Sequence, residues 1–463
     1  MKPGKSNYTF SLEPQNVELI ETKNRIIKTQ IPHHEDIKTF TKIMTFESSL
    51  MEKQLPIVWH SAKDYSIYDR WGNKWIDLSS TIFVANSGHA NARSKTRLQE
   101  TLDKNLLHAY CYPTVERAEF LEKLIEITPP YFERACLVST GTEASERALK
   151  LARIHGMKFN PRKKVIIGGL GNYHGKTMGA MMAAVTPEAR KWIGNQDPDM
   201  HQMPFPYPWI LQKEKITGAE LFELHLDNLF SEGVNPEEVA AFIIESYQGW
   251  GAVFYPNDYV QAMRKWSEKY NALLIVDEIQ SGFGRTGKLF GYEYYGVEPD
   301  LAICGKGISG SMPLSAVLGS SELIELDPTL TSTHGGQPIS CAAALGHLES
   351  LVEDKLVDRA EKLGKKLLGW LNEWKDEFPD RIPFISGYGM VWAIFICKPG
   401  SKELDADFTD QLVEKAMQKG VYSIRTGCGT IKLGAPLTIS EGALKEAIDV
   451  YIDCMSEMVN GNE

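Results

Sequence analysis

An α/β protein is what the sequence predicts, with a large, mostly parallel sheet and a smaller α+β domain built from both chain ends. Three observations predict it. From residue 136 onward, short aliphatic runs recur (CLVST, KVIIGG, AAFIIES, LLIVDE, LAICG, PLSAVLG), and helical stretches follow several of them. Near-continuous apolar strands flanked by helices are the mark of a parallel sheet covered on both faces. Nearer the amino end, YSIYDRWGNKWIDLSS alternates around a central WGN and reads as a hairpin. The carboxyl end mixes strand-like runs (GMVWAIFI, TIKLG) with helical stretches near 406–419 and 441–456.

In order along the chain, the first 60 or so residues are mixed, carry a Pro-His turn at 32–34, and resemble an arm more than a domain. CLVST leads into the helical stretch TEASERALKLARIHG, and a helix from Asp258 to Lys269 leads into LLIVDE. After ISCAAALGHLES comes a long helix, interrupted by linker-like sequence around DEFPDRIPF. The expected division is 1–79 for the arm and part of the small domain, 80–338 for the large domain, and 339–463 for the rest of the small α+β domain. There is no internal repeat and no low-complexity tract.

A chain of 463 residues can bury a large core divided over two or more domains. With 43% apolar and 24% charged residues it has the composition of a folded globular protein. The formal net charge of -10 disfavours nucleic acid or an anionic membrane surface as the main partner, because both select basic faces. Seven cysteines, widely separated and without a CxxC, fit a reducing compartment and give neither a disulfide framework nor a zinc site. The opening MKPGKSNYTF lacks an apolar signal segment, and no window approaches the roughly 20 apolar residues of a membrane span. Cytoplasm is the expected compartment.

The chemistry is expected at the strand ends, because ligands in open α/β sheets bind beyond the carboxyl ends of the strands. LLIVDE ends in Asp277 and Glu278, which must face opposite ways; one can serve a ligand while the other needs solvent or a cationic partner. A nucleotide-hydrolase reading fails upstream, since LGNYHGKT has Leu170 where the phosphate loop needs its first glycine. Lys306 lies between glycines in ICGKGISG. Alone it reads equally as an exposed loop lysine, but a desolvated lysine has a lowered pKa and attacks carbonyls. A lysine and an acid on separate strand ends are what pyridoxal phosphate requires: one holds the aldehyde, the other keeps the pyridine nitrogen protonated. Thr140-Gly141-Thr142, directly before a helix, offers an anion cradle for the phosphate, or simply a helix cap. Tyr173 can flank a flat heterocycle or be structural, and His174 reads as a supporting residue.

The stretch LLIVDEIQSGFGRTGKLFGYEYYGVEPDLAICGKGISGSMPLSAVLG resembles the signature of the class III pyridoxal-phosphate aminotransferases of fold type I nearly throughout. STGTEA, NYHGKT, IIESYQG and THGGQP add to the likeness in the expected order, and the resemblance runs from WGNKWIDLSS into the carboxyl-terminal domain. The resemblance implies a large domain that binds pyridoxal 5′-phosphate, with Lys306 forming the internal aldimine and Asp277 paired with the ring nitrogen. It implies Gly141 and Thr142 at the phosphate, Tyr173 on the ring, Gln280 near the ring hydroxyl and Glu245 supporting the acid side. Thr333 would reach the phosphate of a neighbouring subunit, so a homodimer with shared sites is implied. The activity implied is transamination between an amine or amino acid and a keto acid such as pyruvate or 2-oxoglutarate, through pyridoxamine 5′-phosphate. The rival reading on the same fold is an amino acid racemase or epimerase.

Around the substrate the sequence departs from the best-known members of that family. In TIKLGAPLTIS, Lys432 stands where many have an arginine that grips a carboxylate, and an ammonium lacks the planar two-pronged geometry of guanidinium. Arg425 in YSIRTG is the alternative. Trp250 occupies the place of an acid found in ornithine-type enzymes. With Phe83, Tyr247 and Tyr112 it suggests an aromatic wall suited to an apolar or bulky donor.

Overall fold

The computed structural model describes residues 1, 3–48 and 53–461. They form two compact units. One comprises Met1–Asn91, Trp250–Ala252 and Asp358–Glu463; the other comprises Ala92–Gly249 and Val253–Val357.

The first unit draws on both chain ends. The hairpin anticipated around WGN forms between Ser66–Tyr68 and Lys74–Asp77, with Ile67 opposite Trp75. Asp69 makes its turn by accepting from the amides of Trp71 (2.8 Å) and Asn73 (2.9 Å). Val421–Tyr422 joins Lys74–Asp77 in parallel, so the carboxyl end completes the sheet. A second, four-stranded antiparallel sheet contains Phe384–Tyr388, Val391–Phe395, Thr430–Leu433 and Ile424–Arg425. The amino-terminal stretch is more than an arm. Ile20–Glu21 and Ile26–Ile27 pair and join the hairpin sheet, while Gly4 donates to the Cys428 carbonyl at 2.9 Å. Two-residue strands are too short to leave a period in sequence.

The second unit is built on a seven-stranded sheet. Its spatial order is Arg134–Val138, Ser315–Gly319, Leu301–Cys304, Leu273–Asp277, Val239–Glu245, Val165–Gly169 and Met200–Met203. Only Ser315–Gly319 runs antiparallel to its neighbours. Strands such as VAAFIIE and LLIVD are buried at every position, as crossover helices on both faces demand. Ala241, Ile243, Leu273, Ile275, Leu301 and Ile303 cluster with Ala144, Ala148, Leu151 and Ala152 of the helix Gly141–Met157. The alternate residue Phe242 meets Phe222 and Trp266 on the other face, with ring centroids 5.8 and 5.4 Å apart. The units divide after 91 and 357, later than the 79 and 338 expected, because the helix Pro338–Glu353 packs on Ala92–Asp103. The two approach so closely that a Cβ on Gly346 would lie 2.4 Å from the Ser94 amide. No helix among the described residues is long and apolar enough to cross a membrane.

Burial also carries a pH dependence. His225, buried beside the Tyr259 hydroxyl at 2.9 Å, is pushed down to about 4 by loss of water. Between that value and 6.5 the unfolded chain binds the extra proton, so stability falls as pH is lowered through this window. His225→Gln is expected to flatten the acid limb by at most roughly 3 kcal/mol. Urea midpoints at pH 7, 6 and 5 measure it.

Candidate active site

Parallel strands deliver their carboxyl ends to one edge, and there the sheet carries its charges. Asp277 is in register with Glu245 on one neighbouring strand and with Ile303 on the other. Three residues beyond Ile303 comes Lys306, at the start of a one-turn helix, Lys306–Ile308. Asp277 and Glu245 are 3% and 4% exposed, so both acids are withdrawn from water. Burial lowers the Lys306 ammonium pKa, and the carboxylates of Asp277 and Glu245 oppose that shift without cancelling it. Lys306 also has φ +45, the left-handed region, which costs a side-chain-bearing residue about 1–2 kcal/mol.

The two-residue period of a strand sorts the rest. Asp277 shares a face with Leu273 and Ile275, and Glu245 with Ala241 and Ile243, so both acids lie on the side of the helix Gly141–Met157. That helix is capped by Thr140, whose hydroxyl accepts from Glu143 N, while the Glu143 carboxylate accepts from Ser139 N and Thr140 N at 2.9 Å each. Capping uses those donors. Among the described residues, no protein acceptor meets the amides of Gly141 and Thr142, which open the helix. Gly141 approaches Ile279 so closely that a Cβ would lie 2.7 Å from its Cδ1.

The segment after Val165–Gly169 folds over this helix start. Ser145 Oγ donates to the His174 carbonyl at 2.7 Å, and the Thr142 and Thr177 hydroxyls are 2.7 Å apart. Gly175, with φ +130, admits this contact; a Cβ there would fall 2.2 Å from Thr142 Oγ1. Tyr173 donates its amide to Glu245 Oε2 at 3.1 Å, and the residue is 54% exposed. His174 is fully buried, with Nδ1 2.8 Å from Asp277 Oδ2. Its role as a partner of Asp277 is not visible in sequence beyond its place next to Tyr173. Asp277 Oδ1 accepts from the Ile279 amide at 3.0 Å, so two donors occupy a carboxylate that can take about four.

Glu278 turns the other way. It was expected to need solvent or a cation; instead it is fully buried and surrounded by donors. Tyr292 N (2.9 Å), Gly291 N (2.8 Å), Ser281 Oγ (2.7 Å) and Ser246 Oγ all donate to it. Burial pushes its carboxyl up to about 7, and the four donors resist that shift. Glu278→Gln would set an amide NH2 against such donors. It is expected to lower stability by about 3 kcal/mol while leaving the Asp277 edge in place, as read by denaturant midpoints.

Of the other residues named from sequence, Gln280 accepts from the Tyr247 hydroxyl through its carbonyl at 3.1 Å. A Cβ on Gly249 would lie 2.8 Å from Glu245 Oε1 and 3.6 Å from Gln280 Nε2, which puts these residues side by side. Thr333 is exposed; its carbonyl accepts from Gln337 Nε2 at 2.8 Å and lies 3.2 Å from His108 Nε2. The six substrate-pocket candidates divide between the units. Tyr112 (72% exposed) and Tyr247 (1% exposed) belong to the unit with the seven-stranded sheet. Phe83, Trp250, Arg425 and Lys432 belong to the other.

Within that unit Phe83 is buried at the end of a left-handed turn: Ser80, Thr81, Ile82 and Phe83 have φ of 48, 52, 60 and 67. Asp77 holds the turn by accepting from Ser79 N (2.7 Å) and Ser80 N (3.1 Å), with His89 Nε2 at 2.7 Å. Lys432, 2% exposed, places its Nζ 4.9 Å from the Phe83 ring centroid. Arg425 pairs with the buried Asp410 at 2.7 Å and donates to the Lys53 carbonyl at 3.1 Å. Trp250 packs edge-on to Phe395, with ring centroids 5.5 Å apart, and its carbonyl accepts from Thr430 Oγ1 at 3.0 Å.

Comparison with known proteins converges on one description. The model of the family "Aminotransferase class-III" matches residues 48–455. The chain is 30% identical to a 4-aminobutyrate aminotransferase of Mycobacterium leprae over 92% of this chain and 97% of that one. It is 31% identical to an ornithine aminotransferase of Emericella nidulans, over 88% and 87% respectively. Among solved structures, a thermostable (S)-enantioselective omega-transaminase from Thermomicrobium roseum superposes with a TM-score of 0.82 at 26% identity, covering 91% of this chain and 98% of that one.

Proposed function

The chain belongs to the class III aminotransferases, and from that premise we propose that it moves an amino group from an amine or amino acid to a keto acid with pyridoxal 5′-phosphate bound at the Asp277–Lys306 edge. The observation that carries this reading is the register of Asp277 with Glu245 and Ile303, which brings two buried acids to the same edge as a desolvated lysine. The residues present suit the group: two amides without acceptors at a helix start, two glycines packed against its walls, an exposed aromatic face, and a buried carboxylate with capacity to spare.

When bound, pyridoxal phosphate supplies an electron-accepting ring that stabilises a carbanion at the donor carbon. Gly141 and Thr142 would receive the phosphate at the positive end of their helix. Asp277, with one oxygen fixed by His174, would keep the ring nitrogen protonated. Tyr173 would cover one ring face, with Glu245 holding its backbone, and Gln280 would lie toward the ring hydroxyl. Lys306 would hold the aldehyde covalently; once displaced, its Nζ, whose ammonium form burial disfavours, would take a proton from the donor carbon and return it. A second copy of the chain would bring its exposed Thr333 loop to the phosphate, making the protein a homodimer with shared sites.

Donor choice is read from Trp250, Phe83, Tyr112 and Tyr247 as apolar or bulky. The relatives named above act on 4-aminobutyrate and ornithine; Trp250 argues against ornithine's second ammonium. Pyruvate and 2-oxoglutarate are the acceptors proposed, with Arg425 or Lys432 meeting the carboxylate. A KM for 2-oxoglutarate that rises in Arg425→Ala but not in Lys432→Met assigns Arg425, and the converse assigns Lys432. The reading as a whole is tested by mixing the protein with a panel of amines and each acceptor, following the bound cofactor's absorbance and the new amino acid. Net transfer is expected. Inversion of a single amino acid without any keto acid, and without net transfer, would replace the reading with a racemase.

A further inference from the structure

Behind the lysine sits a histidine that the chemistry above does not use. His347 lies on the helix Pro338–Glu353 and is fully buried. Its ring makes a hydrogen bond to the Gly307 backbone, next to Lys306 in sequence. It also supports the far end of the same turn: Gly310, at φ +68, sits so close that a Cβ would come 2.6 Å from Nδ1 and 2.8 Å from Cγ. One side chain therefore touches the loop at Gly307 and at Gly310, three residues apart. Between strand end and Gly310 the loop is closed by its own bonds, Ile308 N to Gly305 O at 3.0 Å and Ser309 N to Lys306 O at 3.3 Å. Lys306 stands in this loop in the left-handed region. A strained backbone persists only where its surroundings over-determine it.

Resting on the reading of Lys306 as the reactive amine, we propose that His347 is its positioning residue: a buried post that braces the Gly305–Gly310 loop and so keeps the Lys306 amine desolvated beside Asp277 and Glu245. The backbone bond accounts for the residue type, since a buried imidazole can fill the space under Gly310 and still donate to a carbonyl. An aliphatic side chain of similar size would fill the space and leave that carbonyl bare. Gly310 is required by the same packing, because φ +68 and the ring surface both exclude a side chain.

The test measures the amine directly. The protein, cleared of carbonyl cofactor, is reductively methylated with formaldehyde and cyanoborohydride from about pH 6 to 11, and methylation of Lys306 is followed by mass spectrometry against exposed lysines. In the parent protein the Lys306 midpoint is expected below that of the exposed lysines. His347→Ala should move it up by about one unit and lower kcat roughly 10–100-fold with the donor KM little changed. His347→Gln, which can still donate to Gly307, should restore most of both. A folded His347→Ala with an unshifted Lys306 midpoint overturns the proposal. If that variant does not fold, Gly310→Ala pushes on the ring from the other side, and an unshifted midpoint there overturns it equally. A shifted midpoint in a protein that transfers no amino group with any donor would sink the transaminase reading and leave the role of His347 intact.

Discussion

Lys306→Ala is expected to reduce amino-group transfer by at least about 10^4-fold in kcat, with the folded state kept. Two roles disappear together: the covalent hold on the cofactor aldehyde and the base that shuttles the proton at the donor carbon, each worth orders of magnitude. The stability prediction has the opposite sign. Desolvation penalises the Lys306 ammonium, so removing the amine relieves that cost, while the φ +45 strain stays with the Cβ of alanine. The melting temperature should hold or rise. Single-turnover transfer and thermal melts on the same preparation check both halves, and a variant that unfolds would show that Lys306 is structural. Borohydride should fix cofactor to the parent chain and not to the variant.

Asp277→Asn should cost about 10^2–10^3-fold in transfer, because the charge facing the ring nitrogen is lost while the shape is kept. The single oxygen of the asparagine can still accept from the Ile279 amide, and its NH2 can donate to His174 Nδ1 once the imidazole proton sits on Nε2. Asp277→Ala leaves both of those groups without a partner in a buried site and should additionally cost about 2 kcal/mol of stability. Comparing the two variants separates charge from scaffolding. Equal rates for Asp277→Asn and the parent would remove Asp277 from the chemistry. Glu278→Gln supplies the contrast, since it should lower stability and spare the rate.

These contrasts follow from how unevenly the chain reveals itself. The continuous apolar runs of the large sheet were legible because burial on both faces forbids polar residues, and that constraint is written at every strand position. Asp277 and Lys306 stood out for the same reason: charge at the end of such a run needs an explanation, whereas Glu245 was implied only by the family resemblance. His174 was read only as a supporting residue with no partner named, and His347 did not stand out. A histidine has no period and no run to break, and its meaning depends on a carboxylate or a turn far away in sequence. The left-handed turn Ser80–Phe83 was equally hidden, since nothing in STIF announces positive φ; only the Asp77 carboxylate beneath the amides of Ser79 and Ser80 makes it possible.

By itself the sequence determined the strand ends, their charges and the class of fold, because hydrophobic burial acts residue by residue. Tertiary structure decided which charges meet. Register alone put Asp277 beside Glu245, and the two-residue alternation along each strand sent both toward the helix start while turning Glu278 into a shell of donors. Arg425 likewise reads in sequence as the alternative grip for a substrate carboxylate, and in the fold it is paired with the carboxylate of Asp410. Partners of that kind are fixed by distances in space, and a linear chain does not carry them.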